Sequence, residues 1–339
     1  MTGVLTATAA TMGTMVVLLL ALIVVIRLIL ARRQRRMDEL RSPAETSVAL
    51  YLAGDFPAPE GGTARERAVL LDVSLDALSD VRGSERTRLV AFLEQFGYLD
   101  QIIRRLGSRR RVTRRRAADM LATIAAGSTA PALAAGSADR DIFVRTTCAA
   151  ALAGLGGPDV VPGVIATAKH AAEAVPGAAA SIILGLGMHQ PSALAPLLAA
   201  DATPAVRALA VAVASELRLT EHSEGLRRCL DSDALAADAA RGLGLMGEIA
   251  AVPALMAIAT DKGRPPEART AATVALGRIG NTSALSALEA QLGEQDWSLR
   301  AAAAQALHSL GTPGDAALRR AASTTSSQLK ELTEAVLQP

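Results

Sequence analysis

The 339-residue chain repeats itself at a spacing of 31. Arg114, Arg145, Arg207, Arg269 and Arg300 lie at intervals of 31, 62, 62 and 31, and Gly156, Gly187, Gly280 and Gly311 fall on the same ruler at 31, 93 and 31. A fixed period of this size marks supersecondary units that cannot bury their own apolar faces and must stack on their neighbours. Composition decides what the units are made of. Half of the chain is hydrophobic but aromatics make up only 2%, so alanine and leucine carry the apolar content. Such sequences suit slender helices packed closely together; strands would favour β-branched and aromatic residues. The expected fold is all-α, a right-handed α-solenoid of about seven helix pairs.

Each unit opens with an arginine, continues with Ala and Leu at helical spacing, turns at a glycine, and closes with a second apolar helix and a polar turn. EARTAATVALGRIGNTSALSALEAQLGEQD (267–296) shows the pattern most clearly. Glycine just past a helix end takes positive φ without strain. In this unit Ala272, Ala275, Leu276 and Ile279 form one stripe, completed by Leu285 and Leu288. Unit anchors fall at 114, 145, 176, 207, about 236, 269 and 300. The ruler also has departures: Pro176 stands where an arginine is due, Arg218 stands where a glycine is due, and Gly244 and Gly247 come two residues early. Asp139, Asp201 and Glu294 precede Arg145, Arg207 and Arg300 by six residues, and Asp296 precedes Arg300 by four. An acid in the inter-unit turn is expected to bond the arginine opening the next helix. That makes Arg145, Arg207, Arg269 and Arg300 rungs of a structural ladder rather than an anion-binding stripe.

The segments VRTTCAAALAGLG, ARTAATVALGRIGNTSAL and LRAAAAQALHSLG resemble HEAT-like repeats of the phycobilisome-lyase type, over about residues 111–322. The resemblance implies stacked helix pairs and admits two functions, a protein-binding scaffold or a chromophore (bilin) lyase or enzyme-accessory subunit. The lyase reading requires a tetrapyrrole pocket, and the shortage of aromatics counts against it.

The N-terminus reads differently. Residues 2–26 carry no charge, and from Thr11 to Leu30 the run TMGTMVVLLLALIVVIRLIL is broken only by Arg27. Roughly twenty apolar residues at a rise of about 1.5 Å cross a hydrocarbon core of about 30 Å. Arg32, Arg33, Arg35 and Arg36 follow. A cleaved signal peptide would carry its basic residues before the apolar run. Arginines after it predict a retained single-pass anchor with the N-terminus outside and the solenoid cytoplasmic. An anchor, an arginine-rich joint and a HEAT-like array together resemble bacterial membrane-anchored HEAT-repeat proteins. The expected domains are the anchor with its basic joint (1–36), a helical N-terminal cap (37–110), the repeats (111–322) and a C-terminal capping helix (323–339). The cap is expected to hold helices over 44–53, 64–78, 87–96 and 98–106. Ala68, Leu71, Leu75, Leu78, Leu89, Phe92, Leu93 and Phe96 are expected to face inward, as are Leu329, Leu332 and Val336 in the final helix.

The net charge of +2 hides an asymmetry: 19 basic and 12 acidic residues up to residue 116, then 16 basic and 21 acidic. RRLGSRRRVTRRR packs eight arginines between Arg104 and Arg116. Arg109, Arg110, Arg111, Arg114, Arg115 and Arg116, with the four juxtamembrane arginines, form the candidate patch. It would face anionic lipid, an acidic protein or nucleic acid, the plain alternative being a solvated helix face. Nucleic acid is disfavoured because aromatics able to stack on bases are nearly absent. No residue constellation calls for a catalytic centre, metal or cofactor. Cys148 and Cys229 are far apart in apolar stretches and read as small hydrophobes. No His-Glu dipeptide of the kind used by a di-iron HEAT-repeat hydroxylase family is present. GLGLMG (242–247) follows a helix rather than a strand, which removes the dinucleotide-loop reading. His222, between Glu221 and Glu224, reads as a solvated turn residue. The sequence thus predicts a membrane-anchored scaffold that grips a protein partner, and does not name the partner.

Overall fold

A computed structural model describes residues 40–54, 62–157, 159–324 and 327–337. The expected anchor and Arg32, Arg33, Arg35 and Arg36 lie outside the described residues. Among the described residues no helix is long and apolar enough to cross a membrane. All regular structure described is helical. The chain divides into two compact units, Met1–Arg105 and Leu106–Pro339.

The first unit contains α1 (40–53), α2 (Ala64–Asp80), α3 (Gly83–Gln95) and most of α4 (Tyr98–Leu106). Helix α1 starts ahead of the expected residue 44: Arg41 lies within it and bonds Glu45 one turn on at 2.7 Å and Asp76 of α2 at 2.5 Å. Helix α2 starts at a capping box, in which the Thr63 hydroxyl accepts from the Glu66 N–H and the Glu66 carboxylate accepts from the Thr63 N–H. Each bond satisfies a backbone donor that has no partner within the helix. The core of this unit is built on aromatics. Phe92 is fully buried, with the rings of Tyr51, Phe96 and Tyr98 at 5.8, 5.0 and 5.7 Å. Leu71, Leu75, Leu78, Leu89 and Leu93 point inward as expected, whereas Ala68 is exposed and Phe96 keeps 37% of its surface. Phe96 lies past the last residue of α3, where the backbone leaves the helical path.

The second unit holds seven successive helix pairs. They are α5 (Arg111–Ile124) with α6 (Ala130–Gly136), α7 (Ile142–Leu155) with α8 (Val161–Ala174), α9 (Pro176–His189) with α10 (Ala195–Leu198), and α11 (Pro204–Glu216) with α12 (Ser223–Cys229). There follow α13 (Ala236–Met246) with α14 (Val252–Thr260), α15 (Pro266–Ile279) with α16 (Leu285–Gln291), α17 (Trp297–Ser309) with α18 (Thr312–Thr324), and a closing α19 (Ser327–Leu337). The first helices stack in series from α5 to α17. Small residues let them approach: a methyl added to Gly244 would lie 2.7 Å from Ala275 Cα, and one added to Gly277 would lie 2.6 Å from Ala306 Cα. The alanine-rich composition therefore serves backbone contact between helices, each contact adding dispersion that a larger side chain would block.

The turns explain the ruler. Gly156, Gly280 and Gly311 have φ of 76°, 71° and 72°. Ala125 and Arg218 occupy the same ruler position and adopt φ of 38° and 51°, so the repeat imposes the left-handed turn even on residues with a Cβ. Gly187 departs from expectation, since it lies inside α9 and acts by its size: an added Cβ would meet Val213 Cγ1 at 2.7 Å. Helix α9 begins at Pro176 because proline fits a first turn and would break a helix interior. In the stripe read for unit 267–296, Ala272, Ala275, Leu276 and Leu288 are buried, with Ile279 and Leu285 half-buried at its edge. In α19, Leu332 is buried and Val336 half-buried.

Candidate interaction surface

The periodic arginines make a ladder, but it runs opposite to the expected direction. Arg114 is 5% exposed, and its Nε and Nη2 donate to the two oxygens of Asp139 at 2.8 and 3.1 Å. Asp139 lies 25 residues downstream, in the turn that closes the same unit. Arg269 is 8% exposed and donates to Glu294 at 2.8 Å across the same 25-residue span. Each guanidinium also reaches back along the chain, Arg114 to the Ser108 carbonyl in the preceding turn at 3.1 Å and Arg269 to the Ala259 carbonyl near the end of α14 at 3.2 Å. Arg145, six residues past Asp139, takes only that residue's backbone carbonyl, at 2.7 Å. The arrangement accounts for the gaps. Asp201 holds the register position whose upstream partner would be Pro176, and it makes no ion pair among the described residues. Arg207 has Ser232 in the carboxylate position, and its Nε is buried without a partner, as is that of Arg300.

The second carboxylate at the α5–α7 junction, Asp141, escaped the sequence reading. It caps α7, accepting from the Phe143 N–H at 2.9 Å. It also receives Arg115, whose Nη2 lies 3.1 Å away, and an ion pair from Arg111. Burial alone would raise its pKa, but the hydrogen bonds from Arg115, the Phe143 N–H and Arg111 outweigh that and hold it at about 2. Asp139 is also held below its ordinary value: burial pushes up, and the bonds from Arg114 and the Asp141 N–H pull further down. A usable signal was present in the sequence, since Asp141 precedes Arg145 by four residues as Asp296 precedes Arg300. Both are helix N-caps.

Of the six candidate patch arginines, the structure thus gathers Arg111, Arg114 and Arg115 onto two carboxylates. Arg109, Arg110 and Arg116 remain on the surface. Arg140 reaches the Arg109 carbonyl at 3.3 Å. Two apolar side chains share this surface. Val112 is 78% exposed and Phe143 47% exposed, and the guanidinium carbon of Arg115 lies 4.2 Å from the Phe143 ring centre. They occupy equivalent first-turn positions of adjacent helices, one period apart. Below them Arg111, Arg114, Arg140, Asp141 and Ile142 line an open cleft of about 490 Å³. The charges at this junction are permanent near neutral pH, so the arrangement offers fixed electrostatic shape rather than proton exchange.

A second open groove, of about 380 Å³, crosses three units. Arg241 of α13, Glu267, Thr270, Val274 and Arg278 of α15 and Ser298 of α17 line it. The remaining sequence candidates sit in the fold. Cys148 and Cys229 are buried, and burial pushes the Cys148 thiol up to about 12. His222 is buried rather than solvated, its Nε2 lying 2.7 Å from the Pro191 carbonyl of the preceding unit. GLGLMG lies in and just after α13. Among the described residues no group of three or more His, Cys, Asp or Glu is placed to hold a metal ion.

Serial helix pairs, left-handed turns at a fixed period and buried Arg–carboxylate rungs define an α-helical repeat scaffold. The family model for HEAT repeats matches residues 224–308 and 262–338, so this stretch is HEAT-repeat in type, and the helix pairs before it repeat the same arrangement. No curated protein matches the sequence. Among solved structures, human deoxyhypusine hydroxylase in complex with glycerol is 17% identical, with 82% of this chain and 98% of that chain covered and a TM-score of 0.32. The Escherichia coli protein YibA is 15% identical, covering 76% and 100% of the two chains at a TM-score of 0.43. Kap121p bound to Pho4p is 14% identical, covering 80% and 41% at 0.42. Similarity at this level carries no functional inference.

Proposed function

We propose that the protein is a membrane-anchored HEAT-repeat scaffold whose second unit holds a protein partner on the cytoplasmic side. The observation that carries this reading is the groove over α13, α15 and α17, a recess built jointly by three successive pairs. Repeat stacking buries one face of each helix and leaves the others as a continuous surface for contacts along the array. The apolar run Thr11–Leu30 and the arginines after it support the anchor and its orientation. Photo-crosslinking residues placed at Arg241, Glu267 and Arg278 in native membranes are expected to capture one discrete protein. Crosslinks spread over many proteins, or none, would remove the scaffold reading. The full chain is expected to stay with membranes through an alkaline wash, and a chain starting at residue 37 to be released.

A further inference from the structure

The repeat supplies its own control for the α5–α7 junction. Five periods further on, the α15–α17 junction reproduces its framework residue by residue: Arg269 for Arg114, Glu294 for Asp139, Asp296 for Asp141 and Leu276 for Leu121. These residues are what stacking requires. Arg109 also recurs, as Arg264, but the rest of the patch does not. Arg110, Arg111, Arg115, Arg116 and Arg140 have Pro265, Pro266, Thr270, Ala271 and Gln295 as counterparts, and the exposed Val112 and Phe143 have Glu267 and Ser298. Over residues 109–141 there are seven arginines and three aspartates, against three arginines and four acids over 264–296. The later junction exposes an aromatic too, Trp297, but without the charge excess.

Building on the scaffold reading, we infer that the α5–α7 junction is the docking surface for an acidic, apolar-anchored segment of the protein partner. Its carboxylates would meet Arg109, Arg110 and Arg140, and an aliphatic or aromatic side chain would pack between Val112 and Phe143. Charge complementarity selects the occupant, because seven arginines stand against three aspartates over residues 109–141. Shape separates a peptide from a bilayer. Arg111, Arg114 and Arg140 border a cleft, which admits side chains and which a flat lipid surface would leave unfilled. Guanidinium groups also match carboxylates bidentately.

The test uses the full chain in neutral detergent and a fluorescent peptide of alternating glutamate and leucine, followed by anisotropy. The variants are Val112→Glu with Phe143→Ser, which graft the later junction's residues, and separately Arg140→Gln, also a graft, with Arg110→Gln. Each pair is expected to weaken peptide binding about tenfold or more with the thermal midpoint unchanged, and added salt to weaken it in the wild type. A glutamine–leucine peptide is expected to bind far more weakly. Equal affinity for wild type and variants, no binding, or preference for phosphatidylglycerol vesicles or an oligonucleotide over the peptide would overturn the assignment. If the membrane crosslinks persist in the Val112→Glu, Phe143→Ser chain while peptide binding never depended on the patch, the scaffold reading stands and this surface falls. If crosslinks are absent from the wild type, the scaffold reading falls on its own.

Discussion

The α5–α7 and α15–α17 junctions answer one structural problem with the same framework and different surfaces. Both stack paired first helices, bury an arginine on a carboxylate 25 residues downstream, and cap the next helix with an aspartate. One surrounds that framework with arginines and exposed apolar side chains; the other surrounds it with proline, threonine, alanine and glutamate. The difference separates what the repeat needs from what it carries. Arginine at the buried rung is a folding residue at both junctions. Of the arginines around it at the first junction, only Arg109 has an arginine counterpart at the second, Arg264.

If the two frameworks are equivalent, matched substitutions should behave alike. Leu121 and Leu276 are both fully buried, so Leu121→Ala and Leu276→Ala should each cost about 2–5 kcal/mol in denaturant unfolding. A loss at one junction only would break the equivalence. Next in size are Asp139→Ala and Glu294→Ala, which strand Arg114 and Arg269 without their carboxylates and should each cost about 3 kcal/mol. The turns offer a reciprocal pair. Gly280→Ala should destabilise by about 1 kcal/mol, because φ is 71° there, and Ala125→Gly should stabilise by about 0.5–1 kcal/mol through relief of the same conformation. The smallest effect is local and sharpens the contrast. The folded-state pKa of Asp141 is depressed, so its contribution is present above its ordinary value of 3.8 and is lost as pH falls toward about 2. Amide protection in the first turn of α7 should therefore decline across that window. In Asp141→Asn it should be low and nearly independent of pH.

The periodicity made much of this visible before any coordinates. The arginine and glycine ruler gave the pair count, the approximate helix limits and most of the buried stripe. Hydrophobic spacing failed at helix ends, as at Phe96, because a stripe does not say where the backbone leaves the helix. The direction of the ladder was also hidden. An acid six residues before one arginine is 25 residues after another, and only the stacking geometry selects the distant partner. Gly187 shows the same ambiguity, since a glycine needed for close packing and one needed for a left-handed turn are indistinguishable by letter. The apolar half of the candidate surface was missed because an exposed Val112 or Phe143 looks like core until its helix phase is known.

The most direct test is a transplant in which α5 carries the fourteen-residue sequence of α15, both helices having that length. Calorimetry and the acidic-peptide titration would be run on the same full chain. The account predicts one cooperative unfolding transition with unchanged helical content, together with loss of peptide binding. A chain that fails to fold would show that the arginines around Arg114 belong to the stack. One that folds and still binds would show that the docking residues lie elsewhere.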